Sequence, residues 1–198
     1  MQQPAHTDLA DLAHRALGAL RSAPLAAFLA DWPTVTERRR VAATSLPVLR
    51  WLRGLPEQAG LHQPALVAAL VERAGELDWR RSYSQPAVSA QFLENYGWTE
   101  ILGGRGPRVA THLACGFLLL GPATHYPRHR HEAEEIYLPL AGTAAWQQGD
   151  GDWRDQLPGT VIHHRPFEPH AMRTNVDPLL ALYLWRGAGL AHKARLDD

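Results

Sequence analysis

Leu9, Leu12, Ala13, Ala16, Leu17 and Leu20 recur at the three- and four-residue spacing that gathers side chains on one face of a helix. Thr7 precedes them as an N-cap, and Asp8 and Asp11 fall in the first turn, so an amphipathic helix is predicted there. A shorter helix is expected over 25–31, stopped by Pro33, and another over 46–52, ending near Gly54. A fourth starts at Pro64, a residue suited to the first helical position, and runs through Leu66, Leu70, Val71 and Ala74. Around Trp79 the texture changes. Short apolar runs at 96–104, 109–120, 136–141, 143–147, 161–164 and 179–185 are separated by Gly and Pro turns, and the last run is apolar enough for burial on both faces. Gly149-Asp150-Gly151 is a hairpin signal before Trp153. About eight strands with short turns are how a small closed β-barrel reads, and such a barrel has interior for one small ligand. The expectation is a mainly β protein, with residues 1–80 a helical extension packed on the barrel and 81–198 the barrel itself.

Composition narrows the functional classes. Twenty acidic and twenty basic residues give zero formal net charge, which supplies no electrostatic reason for nucleic acid or an anionic membrane. The basic triplet Arg38 to Arg40 therefore reads as a solvated face and not as part of a helix-turn-helix reader. The single cysteine, Cys115, has no internal disulfide partner, and its neighbours Leu113, Phe117 and Leu119 predict a buried, inert thiol. No run of about 18 apolar residues exists to span a bilayer. Asp8 and Asp11 lie where a secretory signal would carry positive charge, so a cytoplasmic location is expected. His6, His14 and His62 lack a partner at ligand spacing and read as surface or capping residues.

The chemistry concentrates between His125 and Gly142. Alternate residues of a strand face the same side, so His129 and His131, and likewise Glu135 and Tyr137, can each present both members to one interior. Two imidazoles and a carboxylate leave a metal one ligand short, and His170 is the natural fourth, with His112, His125, His163 and His164 in reserve. Such a set suits zinc, iron, manganese or nickel, and the residue types do not choose among them. A closed structural zinc site is the competing reading, but those lean on cysteine and this set has none. Tyr137 should stand beside the metal, where a cation favours the phenolate and makes a general base. Tyr126 enters just before the histidine pair and can reach the same cavity.

The spacing His129-x-His131, three residues, Glu135, six residues, Gly142 resembles the first motif of the cupin superfamily. Pro158, Gly159, Pro166 and His170 follow its second motif, which is why His170 is preferred to the adjacent His163 and His164. Two positions depart: Ala123 stands where a glycine is usual, and Asn175 is displaced by one. The cupin resemblance implies a double-stranded β-helix barrel. The string Tyr126, His129, His131, Glu135, Tyr137, His170, with Trp185 in the closing strand, is further similar to the bacterial cupin-type dimethylsulfoniopropionate (DMSP) lyases. That resemblance implies a divalent metal on His129, His131, Glu135 and His170 that binds the substrate carboxylate. It implies a tyrosine that takes the neighbouring proton and loss of dimethyl sulfide to leave acrylate. Tyr137 would be the base with Tyr126 as helper, and ring faces of Tyr126, Trp185 and Trp153 would hold the sulfonium. Another metal-dependent cupin enzyme, a dioxygenase or isomerase on a small carboxylate, shares these ligands. A non-catalytic ligand-binding cupin is the third reading, its helical extension serving as a partner or homodimer surface.

Overall fold

A computed structural model describes residues 8–61 and 63–197; His6, His62 and the expected cap Thr7 lie outside these. Helix α1 is Leu9–Gly18, and Asp8 itself caps it, its carboxylate accepting from Ala10 N at 2.8 Å. Asp8 is therefore the cap and not a first-turn residue. Helix α2 is Ala23–Ala30, a 3-10 helix covers Pro47–Gly54, and α3, Pro64–Arg73, begins at its proline as expected. A short α4, Ala90–Glu94, capped by Ser89, leads into the barrel.

Ten strands follow: β1 Tyr96–Leu102, β2 Leu113–Leu120, β3 His125–Arg130, β4 Glu134–Ala141, β5 Ala144–Gln148, β6 Arg154–Gln156, β7 Ile162–His164, β8 His170–Thr174, β9 Leu179–Arg186 and β10 Arg195–Leu196. They form two five-stranded antiparallel sheets, β1-β2-β9-β4-β7 and β10-β3-β8-β5-β6. Three edge strands, β6, β7 and β10, have three residues or fewer and are too short to show a period in the sequence.

Two cores, one on each side of the first sheet, account for the apolar runs. On β2, β4 and β9 the side chains of Phe117, Leu138 and Leu182 point outward and pack with Leu17, Leu25, Phe28, Leu66 and Leu70 of the helices. Their alternates, among them Leu118, Tyr137, Ala181 and Tyr183, line the barrel interior. Burial on both faces is why all eight residues of β2 are buried. Cys115 belongs to the outer core, and burial raises its thiol pKa, so it stays protonated and inert.

Two turns set the geometry near the site. Gly142 closes β4 at φ +73°, and a Cβ there would lie 1.8 Å from the Pro178 carbonyl oxygen, so no other residue fits without moving backbone. Ala123 also takes a left-handed φ, +48°, with its N–H donated to the Asn175 carbonyl at 2.7 Å. An alanine there carries strain that the usual glycine would not.

Candidate active site

The inner face of the first sheet assembles the site by register. Glu135 of β4 lies between Trp185 of β9 and His164 of β7; two residues along, Tyr137 lies between Tyr183 and Ile162. From the second sheet, His129 of β3 pairs with His170 of β8. Tyr126 and His129 are an odd number of residues apart and would face opposite ways on a regular strand. A register shift between them, at Pro127 and Arg128, turns both inward. His131 follows on the loop after β3, its ring 4.2 Å from that of Trp185. The fold thus brings together Tyr126, His129, His131, Glu135, Tyr137, His170 and Trp185, seven of the eight residues singled out in the sequence. Trp153 is the exception: it packs on Arg173 and His125, on the far side of the second sheet from the cavity. The hairpin turn leaves it just before the edge strand β6, where its ring covers the exposed Arg173.

His131, Glu135 and His170, all buried, offer ligand atoms within 4.8 Å of one another, and His129 stands beside them with its ring 4.1 Å from His170. Each imidazole is held by a main-chain carbonyl: Nδ1 of His129 meets Pro127 O at 2.8 Å, that of His131 meets Ala133 O at 2.9 Å, and that of His170 meets Glu168 O at 2.9 Å. A carbonyl only accepts, so Nδ1 must carry the proton in every case, and a neutral ring then presents a bare Nε2 lone pair inward. His131 Nε2 faces Glu135 Oε2 at 2.8 Å, an arrangement that needs a proton or a metal ion between the two atoms. His170 Nε2 lies 3.3 Å from the same oxygen without hydrogen-bond geometry and has no partner among the described residues. His131, Glu135 and His170 could thus hold a metal ion, with His129 beside them.

His164 shares the interior, stacked 3.9 Å from His170, and was only a reserve candidate in the sequence. The Gln148 amide donates to His163 O and lies 3.4 Å from His164 Nδ1, and His164 Nε2, like that of His170, is buried without a hydrogen-bond partner among the described residues. His163 points outward to Glu134 at 2.7 Å, which also binds Arg186 at 2.6 Å.

Charges follow from this packing. Burial alone would raise the Glu135 pKa, but His131 and His170 beside it bring it well below the usual carboxylate range. Burial lowers His131, and the Glu135 carboxylate more than offsets it, so its net shift is upward. His129 is held well below its ordinary value, first by burial and then by His170. Burial and the Glu135 charge hold Tyr137 as a neutral phenol; burial and the neighbouring tyrosines do the same for Tyr126.

The site opens on a cavity of about 590 Å³, lined by Tyr126, His129, Glu135, Tyr137 and Trp185. It is also lined by Tyr96, Trp98 and Tyr183, which went unnoticed in the sequence because alternation within a strand does not say which strands meet. The segment after β9, with Leu190 and Lys193, borders it, and Arg105 bonds that segment through the carbonyls of Leu190 and Ala191. No helix among the described residues is long and apolar enough to cross a membrane.

The profile of the DMSP lyase family matches residues 21–181. The chain belongs to the DMSP lyase family. Among its relatives, the DMSP lyase DddQ of Ruegeria pomeroyi is 30% identical over 167 residues, 84% of this chain and 83% of that protein. DddL of Cereibacter sphaeroides is 38% identical over 122 residues, 61% of this chain and 50% of its own length, so the match spans about half of that relative. The crystal structure of R. pomeroyi DddQ superposes with a TM-score of 0.87 at 30% identity, over 98% of this chain and 97% of that one. A crystal structure from the pair of DMSP lyases RdDddP and RnDddQII superposes with a TM-score of 0.89 at 34% identity, over 98% of both chains. Membership of the DMSP lyase family covers the site as well as the barrel, since the matched residues include all four expected ligands and both tyrosines. The DMSP lyases are carbon–sulfur lyases, and the cupin barrel expected from the sequence is the fold of this member.

Proposed function

We propose that this protein eliminates dimethyl sulfide from dimethylsulfoniopropionate. The observation that carries the reading is the convergence of three carbonyl-fixed imidazoles on a buried carboxylate with two phenols beside them, in a chain of this family. His129, His131, Glu135 and His170 would hold one divalent ion, and zinc, iron, manganese and nickel all accept these donors. Such an ion supplies Lewis-acid polarisation of the substrate carboxylate and offsets the burial that keeps nearby phenols neutral.

The chain's own residues supply the remainder. Tyr137 takes the proton from the carbon next to the carboxylate, the C–H pair becomes the new double bond, and the neighbouring C–S bond breaks with its electrons on sulfur. Dimethyl sulfide, acrylate and one proton result, and no electrons are gained or lost. The sulfonium has no proton to donate, so ring faces suit it; Trp185 and Tyr126 offer them at about 0.5–2 kcal/mol each. The wall of Tyr96, Trp98 and Tyr183 limits water around the reacting carbons.

The test is headspace detection of dimethyl sulfide from metal-loaded protein given DMSP, with Tyr137→Phe as the comparison. Loss of a general base should lower kcat by roughly 10²–10⁴-fold, while the retained ring keeps the fold and the metal content. Turnover within twofold of the parent in Tyr137→Phe would remove Tyr137 as the base.

A further inference from the structure

Three hydroxyls, of Tyr126, Tyr96 and Ser82, run in a hydrogen-bonded line along the cavity wall, and that of Tyr83 meets Tyr126 from the side. Tyr126 stacks flat on His129, ring centroids 4.0 Å apart. Its hydroxyl lies 3.2 Å from that of Tyr83 and 3.4 Å from that of Tyr96, and Tyr96 donates to Ser82 Oγ at 2.9 Å. The Trp98 indole N–H donates to the same Ser82 oxygen at 3.0 Å.

The bond between Tyr96 and Ser82 sets the direction of the line. Tyr96 is its donor, and the Trp98 indole N–H, a donor only, occupies the other lone pair of Ser82 Oγ. The Ser82 proton must then point elsewhere, and Ser82 is half-buried at the cavity wall. With the Tyr96 proton committed to Ser82, the contact between Tyr96 and Tyr126 needs Tyr126 as donor. Tyr83 then donates to Tyr126 from the side. The O–H groups of Tyr126 and Tyr96 therefore both point along the line toward Ser82.

We propose that Tyr96 and Ser82 form a proton exit that carries the proton of each elimination from Tyr126 to solvent. This rests on the lyase reading, whose stoichiometry releases one proton per turnover inside a site where Tyr126 and Tyr137 are both buried. The proton passes from Tyr137 to Tyr126 through water in the cavity that both line. As it arrives, the Tyr126 hydroxyl proton passes to Tyr96 Oη, that of Tyr96 to Ser82 Oγ, and that of Ser82 to water. One proton enters, one leaves, and only O–H bonds are made and broken. Tyr96 and Ser82 act through Tyr126, and Trp98 positions Ser82.

The test compares Tyr96→Phe and Ser82→Ala with the parent enzyme, metal-loaded and given DMSP. Tyr96→Phe keeps the ring that stacks 4.7 Å from Phe92, and Ser82→Ala changes a half-buried position, so each checks the other for folding. The expected result is a kcat lowered roughly ten- to hundredfold in each, with KM and metal content unchanged and the double variant no slower than either single. A small diffusible base such as imidazole should restore kcat in both variants, and the D₂O effect on kcat should report several protons in the parent and one in the variants. Parent-like kcat in both variants, or losses that imidazole does not restore, would overturn the exit while leaving the lyase standing. Absence of dimethyl sulfide from the parent would instead overturn the lyase reading and the exit with it.

Discussion

Glu135→Gln should separate folding from metal binding. Glu135 is fully buried, with Oε2 at 2.8 Å from His131 Nε2 and Oε1 accepting the Trp185 indole N–H. The replacement amide fits both contacts: its oxygen accepts from Trp185, and its N–H donates to the bare Nε2 of a neutral His131, whose Nδ1 proton stays on Ala133 O. A buried ion pair exchanged for a neutral hydrogen-bonded pair is close to neutral for stability, so the metal-free melting temperature should move little. Metal binding should not survive so well. Losing the only anionic donor costs at least the roughly 100-fold that loss of a supporting partner can cost. With metal at 100 times the parent Kd, binding stabilises the parent by about 2.7 kcal/mol, and a 100-fold weaker variant by about 0.4 kcal/mol. At about 2–4 °C per kcal/mol for a chain of this size, metal should raise the parent Tm by about 5–11 °C and the variant by about 1–2 °C. Differential scanning calorimetry with and without a chelator reads both numbers. A full metal-induced shift in Glu135→Gln would refute the ligand assignment. A metal-free Tm lowered by more than about 10 °C would refute the satisfied-amide argument.

Further outcomes are expected from the same geometry. In the metal-free protein, His129 and His164 sit well below their unfolded value near 6.5, so unfolding lets them gain protons; their contribution is full above that pH and is lost as pH falls. His131 is raised, so its contribution is full below pH 6.5 and fades as pH rises through its folded value, while that of Glu135 holds until pH falls below its unfolded range near 4.5. With His125 also lowered by burial, three histidines against one predict a metal-free protein that loses denaturant stability between about pH 6.5 and 5, and a flat or rising profile would contradict this. Trp185→Ala should raise KM for DMSP about two- to thirtyfold through the lost ring face, whereas Trp153→Ala should leave it within about twofold; equal effects would put Trp153 back in the cavity. Ala123→Gly relieves a left-handed alanine and loosens the unfolded chain, for a net gain of about 0.5–1 kcal/mol in chemical denaturation.

The shared face of Glu135 and Tyr137 was legible because strand alternation reports it, and both obey it on β4. The two-faced burial of β9 was equally plain from its unbroken apolar run. His164 was not, because adjacent histidines leave open which one turns inward, and the answer lies in the pairing of β7 with β4. Tyr126 needed a register shift at Pro127 that no period in the sequence displays. Tyr83, Tyr96 and Ser82 belong to segments far from the motif, and only barrel closure brings them to Tyr126. Trp153 misled because an aromatic residue after a hairpin carries no sign of the face it takes.

Main-chain carbonyls of Pro127, Ala133 and Glu168 hold the Nδ1 side of the three imidazoles. Substitution of the neighbouring side chains therefore leaves the ring orientation intact, and the surrounding pocket can be reshaped for other substrates without rebuilding the coordination. Transplanting this centre into another barrel becomes a matter of copying two loop paths, with few supporting residues to bring along.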